Sequence, residues 1–115
     1  KAALAYLPNT FVARLLDTIT YTQFTPHTIT NRMDFLADLE KTKTRGWSLN
    51  QEEFTRGIVS VGAPIFSGDH GVAGAICVDI PTIRIENERF LKQVAQKVVH
   101  TAQEISDIGS YHHLE

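Results

Sequence analysis

The stretch that decides the fold is IVSVGAPIFSGDHGVAGAICVDI, residues 58–80. Bulky apolar side chains recur at every second position in both of its halves, which is the period of a β-strand. The Gly-Asp-His segment between the halves, residues 68–70, is a hairpin signal. The stretch therefore predicts two antiparallel strands, 58–67 and 71–80, and a third short strand is expected at 47–50.

Outside this stretch the apolar residues follow a helical period. The pattern predicts four helices: residues 2–7, a helix capped by Asn9 or Thr10, a helix that starts at Thr28 or Thr30 and ends at Gly46, and residues 87–108 before Gly109. The Thr-rich segment 18–30 contains Pro26, which favours a loop, although its alternation also fits a strand. Helices, strands and a last helix in this order predict an α+β fold, an antiparallel sheet packed with helices.

Composition limits the classes of function. A chain of 115 residues, 43% hydrophobic, is one globular domain or most of one. Its net charge of −2 argues against a nucleic-acid-binding face, because phosphate neutralisation needs clustered Lys and Arg. No apolar stretch approaches the roughly 20 residues that cross a bilayer, and no signal peptide is expected. Cys77 is the single cysteine, so no internal disulfide forms, which fits a reducing cytoplasm.

Polar side chains alternate with the bulky ones along the strands. Asn50, Ser60, Cys77 and Asp79 fall on the face of small or mildly polar residues. Small residues leave volume and a few polar atoms orient a ligand, so this face predicts a small-molecule pocket in which these side chains converge within about 10 Å. The alternative is that this face is the solvated side of a half-exposed sheet.

Two groups of residues raise catalytic hypotheses. Glu52 and Glu53 form an acidic pair that can act as general acid and base, or can lie in a solvated turn where one Glu binds nearby backbone. Cys77 can act as a nucleophile with His27 or His100, or can be a small buried hydrophobe, which is the usual state of a free cysteine.

Histidines raise two metal hypotheses. His100 and Glu104 lie one helical turn apart and can form either a metal half-site or a surface pair. His112 and His113 lie in the segment 110–115, which we interpret as a tail whose Leu-Glu end resembles a purification-tag junction. Because a metal rarely binds two adjacent histidines alone, neither group predicts a metal site.

Short motifs follow one another along most of the chain: FTPHTI at 24–29, RGWS at 45–48, APIF at 63–66, GVAGAI at 71–76 and EIS at 104–106. Their order and spacing over residues 1–109 resemble the effector-binding domain of IclR-type transcriptional regulators. The resemblance implies a GAF-like fold whose pocket lies on the concave side of the sheet. It also implies that the positions of Asn50, Ser60, Cys77 and Asp79 contact the effector.

Further expectations come from this resemblance. It implies a bacterial, non-catalytic sensor without a cofactor, which binds a small organic metabolite and works as a homodimer or homotetramer. DNA is contacted only through a winged helix-turn-helix that the family places before Lys1, so residues 1–109 are expected to be part of the sensor domain. The family commonly has Ser where this chain has Asp79, and the carboxylate disfavours a simple carboxylate effector.

Two alternatives remain beside the sensor. One is a GAF- or PAS-like ligand-binding module of another signalling protein, which the sequence before Lys1 would reveal. The other is a small enzyme that uses Glu52, Glu53 or Cys77, although no sequence motif supports an enzyme. The sequence also predicts that the chain alone does not bind DNA specifically and that it self-associates through exposed sheet edges.

Overall fold

A computed structural model of the protein describes residues 1–68 and 71–113. Three helices and a three-stranded sheet make up the fold, in the predicted order. A 3-10 helix, Leu4–Tyr6, comes first and a second one, Thr82–Arg84, follows the sheet. The main elements are α1 (Asn9–Thr18), α2 (Arg32–Arg45), β1 (Ser48–Gln51), β2 (Ile58–Phe66), β3 (Val72–Pro81) and α3 (Glu88–His113). The α+β prediction is confirmed.

The sheet has the order β1-β2-β3, and both pairs of strands are antiparallel. The β2–β3 pair extends from Ile58 opposite Pro81 to Phe66 opposite Val72. Ser67 closes it by donating its backbone N–H to the carbonyl oxygen of Gly71 at 2.9 Å. The predicted strands are therefore correct to within about one residue, whereas Asp69 and His70 lie outside the described residues.

The main core lies between α3 and one face of the sheet. Its buried members are Val59, Val61, Ala63, Ile80, Leu91, Ala95, Val98 and Ala102. The period of 2 in β2 meets the period of 3.6 in α3 here. Four positions of the apolar stripe that the sequence predicts for the last helix are buried in this core; the stripe consists of Leu91, Val94, Ala95, Val98, Ala102 and Ile105. The stripe ends early, since Ile105 is 38% exposed. Because α3 packs mainly against β2 and far less against β3, Val78 on β3 is 43% exposed.

A second, smaller core joins the segments before the sheet. Ala5, Val12 and Leu16 pack with Leu39 of α2. The helical period that predicts α1 puts Phe11, Leu15, Leu16 and Ile19 on its apolar side, but Phe11 is 53% exposed and Ile19 is 39% exposed. Leu16 is buried as predicted, and Val12, one turn before it, shares its face towards α2.

The helix starts differ from the prediction. Pro8 occupies the N-cap position of α1, and neither Asn9 nor Thr10 caps it through a side chain. The cap of α2 is Asn31, whose Oδ1 accepts the backbone N–H of Asp34 at 2.9 Å. Thr28 does not cap α2 because its hydroxyl is bound within the preceding loop.

The helix ends give one confirmation and one correction. Gly46 ends α2 in the left-handed region, with a φ of 89°, as predicted. Gly109 does not end α3, which continues to His113. A glycine costs about 1 kcal/mol in a helix but does not forbid it, and no proline follows. Leu114 and Glu115 lie outside the described residues. Within the described helices, none is both long and apolar enough to cross a membrane.

Candidate functional site

The four predicted site residues lie on one face of the sheet, the face turned away from α3. Asn50 is opposite Ser60, Ser60 is opposite Asp79, and Gly62 is opposite Cys77. Directly paired residues point to the same side of an antiparallel sheet. With strands about 4.8 Å apart, the row Asn50–Ser60–Asp79 spans about 10 Å. We call this face, defined by these five residues, the polar face.

Hydrogen bonds order the row across the three strands. The Ser60 hydroxyl donates to Oδ1 of Asp79. Asn50 accepts the backbone N–H of Glu53 on its Oδ1 at 3.1 Å. Asn50 and Ser60 are half-buried, whereas Asp79 and Cys77 are exposed. The expectation of a buried cysteine is therefore wrong: Cys77 lies on β3, at the edge of the described sheet, where no helix covers this face.

The beginning of the chain lies over the centre of the polar face. A Cβ built on Gly62 would stand 2.7 Å from the Ser48 hydroxyl and 3.6 Å from Cβ of Ala2. Ala2 is only 4% exposed. Gly62 therefore leaves room for the Ser48 hydroxyl, and the first residues pack beside it as a wall next to the row Asn50–Ser60–Asp79.

Lys1 anchors this wall through its side chain. Its Nζ lies 2.7 and 2.6 Å from the two carboxylate oxygens of Glu53, 3.2 Å from the carbonyl oxygen of Leu49 and 2.7 Å from a carboxylate oxygen of Asp38. Burial lowers the pKa of the Lys1 α-amino group, and the positive Nζ lowers it further. The charges of Asp38, Glu53 and Cys77 act in the opposite direction. The side-chain cation next to the polar face is thus already shared by two carboxylates.

A loop of residues 20–31 borders the same end of the row, the Asn50 end, where β1 connects to β2. Thr25 donates its hydroxyl to the carbonyl oxygen of Glu52, and Thr28 donates to that of Glu53. The rings of Phe24 and Phe54 lie 4.8 Å apart at the same junction. Since the Glu53 amide is the group that Asn50 binds, the loop is connected to the polar row through the backbone of one residue. The loop prediction for this segment is confirmed.

The acidic pair stabilises the β1–β2 connection. Glu52 has a positive φ of 58° and accepts the backbone N–H of Gly57 on Oε1 at 2.9 Å. Glu53 binds Lys1. Glu52 therefore holds the turn, as the turn hypothesis predicts, whereas Glu53 makes a long-range contact with the beginning of the chain.

The two hypotheses for His100 reduce to a surface pair. His100 Nε2 is 3.0 Å from Glu104 Oε1, and both side chains are well exposed. This pair lies on α3, across the sheet from Cys77, so the two cannot act together. Among the side chains that the structure describes, those of residues 1–68 and 71–109, no group of three or more His, Cys, Asp or Glu could hold a metal ion.

Sequence reasoning missed a groove on the α3 side of β1, with a volume of about 840 Å³. Arg45 and Trp47 line it, with the guanidinium carbon 4.3 Å from the ring centroid and Nε donating to the Trp47 carbonyl oxygen at 2.7 Å. Burial lowers the pKa of Arg45, and Asp38 opposes this effect. The RGWS motif was the available signal, but a groove between a strand edge and a distant helix depends on tertiary packing.

Comparison with known proteins gives the family. Residues 1–107 match the model of the bacterial transcriptional regulator IclR C-terminal family. The regulator BhcR of Paracoccus denitrificans is 33% identical over 106 residues, which are 92% of this chain and 38% of that protein. The Pca operon regulatory protein of Acinetobacter baylyi is 30% identical over 108 residues, 94% of this chain and 39% of that protein.

Solved structures of regulators from the same family share this fold. The crystal structure of Thermotoga maritima IclR superimposes with a TM-score of 0.89 at 27% identity, over 96% of this chain and 44% of that one. The chain spans about two fifths of the length of the curated relatives it matches. These relatives are transcriptional regulators and not enzymes. The chain therefore belongs to the IclR family of bacterial transcriptional regulators and matches the C-terminal part of its members.

Proposed function

We propose that this chain is the effector-sensing part of its regulator and that it binds a small organic metabolite on the polar face. The observation that carries the proposal is the strand register, which puts Asn50, Ser60, Cys77 and Asp79 on one face away from α3. Half-buried polar atoms beside small residues, next to the wall at Lys1 and the loop 20–31, suit a ligand with a few directional contacts.

The network around Glu53 supports a route for the signal. Asn50 binds the Glu53 amide, Thr28 binds the Glu53 carbonyl, and Lys1 binds the Glu53 carboxylate and Asp38 of α2. A ligand that accepts a hydrogen bond from the amide nitrogen of Asn50 holds the same side chain that makes the first of these bonds. The equilibrium position of the loop and of α2 then depends on occupancy, which is the differential contact that a ligand-driven shift requires.

DNA binding belongs, in this proposal, to a winged helix-turn-helix elsewhere in the longer protein. The net charge of −2 supports this division of labour, because the chain lacks the basic surplus that phosphate contacts need.

A bacterial transcriptional regulator works in the cytoplasm, where we place the protein. Residues 1–109 form part of the sensor domain, and 110–115 follow it. Family membership favours this function over a module of another signalling protein, and a GAF-like arrangement remains a prediction.

Self-association is the second part of the proposal, as a homodimer or homotetramer. Within the described sheet, β1 and β3 each have one side without a neighbouring strand. Val78 on β3 and Ile83 after it are exposed. An unpaired strand edge beside exposed apolar side chains favours association with further protein.

A substitution series tests the site. We expect Ser60→Leu and Cys77→Leu to weaken metabolite binding about tenfold or more by filling the polar face, without loss of the fold. Thr101→Leu, on the exposed side of α3, is the matched control and should leave binding unchanged. Calorimetric titration of the metabolites found in a thermal-shift screen measures the effect. Binding that is unaffected by Ser60→Leu would remove the site assignment.

A further inference from the structure

The hydrogen-bonding groups of the polar face determine which ligand chemistry it accepts. We infer that the effector presents hydroxyl or ammonium donors to Asp79 and Ser60, and that it is a neutral polyol or an amine, not a carboxylate or a phosphate. This inference rests on the proposed function, because it takes the polar face as the ligand site.

Ser60 and Asp79 together offer only acceptors. A serine hydroxyl has one proton, and Ser60 donates it to Oδ1 of Asp79. The lone pairs of Ser60 and the second oxygen of Asp79 remain for a ligand, and an ionised carboxylate donates nothing. A ligand carboxylate or phosphate would bring further acceptors, and a like charge, to this end of the row.

At the other end of the row, Asn50 offers a hydrogen-bond donor to the ligand. Its Oδ1 accepts the Glu53 N–H, so the amide nitrogen is the part with donors to offer. No acceptor for that nitrogen lies within hydrogen-bonding distance among residues 1–68 and 71–113. A polyol satisfies both ends with separate hydroxyl groups, because one donates to Asp79 and another accepts from Asn50 across the about 10 Å of the row.

Nearby cations do not neutralise Asp79. Among the described residues, no Lys, Arg or His lies within ion-pair distance of Asp79. The cation of the wall, the Lys1 side chain, is shared by Glu53 and Asp38 at 2.6 and 2.7 Å. The polar face therefore keeps a net negative charge beside the ligand.

Matched ligands separate charge from shape. The first set shares one polyol chain that ends in a carboxylate, an alcohol or an ammonium group: D-gluconate, D-sorbitol and D-glucamine. The second set carries the same three end groups on a hydroxyphenyl ring: 4-hydroxybenzoate, 4-hydroxybenzyl alcohol and 4-hydroxybenzylamine. We expect the alcohol or amine of at least one set to bind this chain about tenfold more tightly than its carboxylate, since a charge-assisted hydrogen bond favours it. Isothermal titration calorimetry measures the dissociation constants.

Variants of Asp79 assign the preference to one side chain. Asp79→Asn removes the charge at nearly constant shape and should weaken amine binding about tenfold while improving carboxylate binding. Glu104→Gln removes an exposed carboxylate across the sheet and should leave the order of the ligands unchanged. An Asp79→Asn variant with the wild-type order of affinities would overturn the inference.

The remaining outcomes distinguish the inference from the proposed function. If a carboxylate binds most tightly of its set and its binding is lost in Ser60→Leu, the proposed site is supported but the inferred ligand class is wrong. Binding by any of these compounds that is indifferent to Ser60→Leu overturns both. If no alcohol or amine of either set binds at millimolar concentration, the ligand class is also overturned, whereas a metabolite of other chemistry that responds to Ser60→Leu keeps the proposed function.

Discussion

At the residue scale, the absence of a side chain at Gly62 allows close packing on the polar face. A methyl group there would stand 2.7 Å from the Ser48 hydroxyl, closer than packed atoms come. We expect Gly62→Ala to lower the free energy of unfolding by about 1–3 kcal/mol, as overpacking does. Because the obstructing atom is a side-chain oxygen, adding Ser48→Ala should recover part of the loss. Urea unfolding measures both.

The matched control for this substitution is Gly74 on the neighbouring strand. No atom lies within 4 Å of a Cβ at Gly74. Gly74→Ala should be neutral or raise the free energy of unfolding by about 0.5–1 kcal/mol, since alanine restricts the unfolded chain more than glycine does. Equal losses at both glycines would show that steric crowding at Gly62 is not the cause.

Val61 and Val78 face each other across β2 and β3 on the α3 side, but they differ in burial. Val61 has no exposed surface, whereas Val78 is 43% exposed. Val61→Asp places a charge under α3 without a partner and should abolish cooperative unfolding. Val78→Asp should cost about 1 kcal/mol or less, because water still reaches that position. Thermal unfolding followed by circular dichroism distinguishes them, and two variants of equal stability would contradict the packing of α3 over β2.

At the scale of elements, the loop 20–31 depends on one hydroxyl group. Thr28 Oγ1 accepts the backbone N–H of Phe24 and of Thr25 and donates to the Glu53 carbonyl oxygen. Thr28→Val leaves these backbone groups without their partner, so we expect a loss of about 1–3 kcal/mol and faster hydrogen exchange within the loop. Hydrogen exchange read by mass spectrometry measures this.

Thr30 provides the control for that prediction. It is exposed in the same loop, so Thr30→Val should leave stability within about 0.5 kcal/mol of wild type. Exchange in β2 and β3 should remain unchanged in both variants. Acceleration throughout the sheet in Thr28→Val would mean that the loop is part of the cooperative core and does not open separately.

At the scale of the whole molecule, the exposed edge of β3 governs association. β3 has ten residues, Val72–Pro81, and Asp79 is the only charged one among them. Natural edge strands avoid such long uncharged stretches unless they are covered. We expect the chain to self-associate at micromolar concentration, in an equilibrium that sedimentation velocity detects.

A charge placed on that edge tests the mechanism. Ala75→Lys puts a lysine on the exposed side of β3 and should shift the equilibrium towards monomer. Lys97→Ala, which changes charge on α3, is the control. A strictly monomeric wild-type chain, or association that Ala75→Lys does not affect, would exclude the β3 edge as the interface.

The sequence predicted most of the elements because their signals are local. Alternation over 58–80 predicted β2, β3 and their faces, and Gly46 predicted the end of α2 through its freedom at positive φ. The errors lie where local signals compete. Thr28 has a capping side chain, but its hydroxyl serves the β1–β2 connection, so Asn31 caps α2. Gly109 is a stop signal that a packed helix can override, because the cost of one glycine is small.

The sequence by itself determined the order of the elements, the two faces of the sheet and the placement of Asn50, Ser60, Cys77 and Asp79 on the polar one, because a period of 2 assigns each strand residue to a face whatever lies above it. Tertiary structure alone decided what covers each face. The Lys1–Glu53–Asp38 network, the exposure of Cys77 and Val78 and the groove at Trp47 all join segments far apart in the chain. No periodicity encodes such contacts, since they depend on which surfaces close packing brings together.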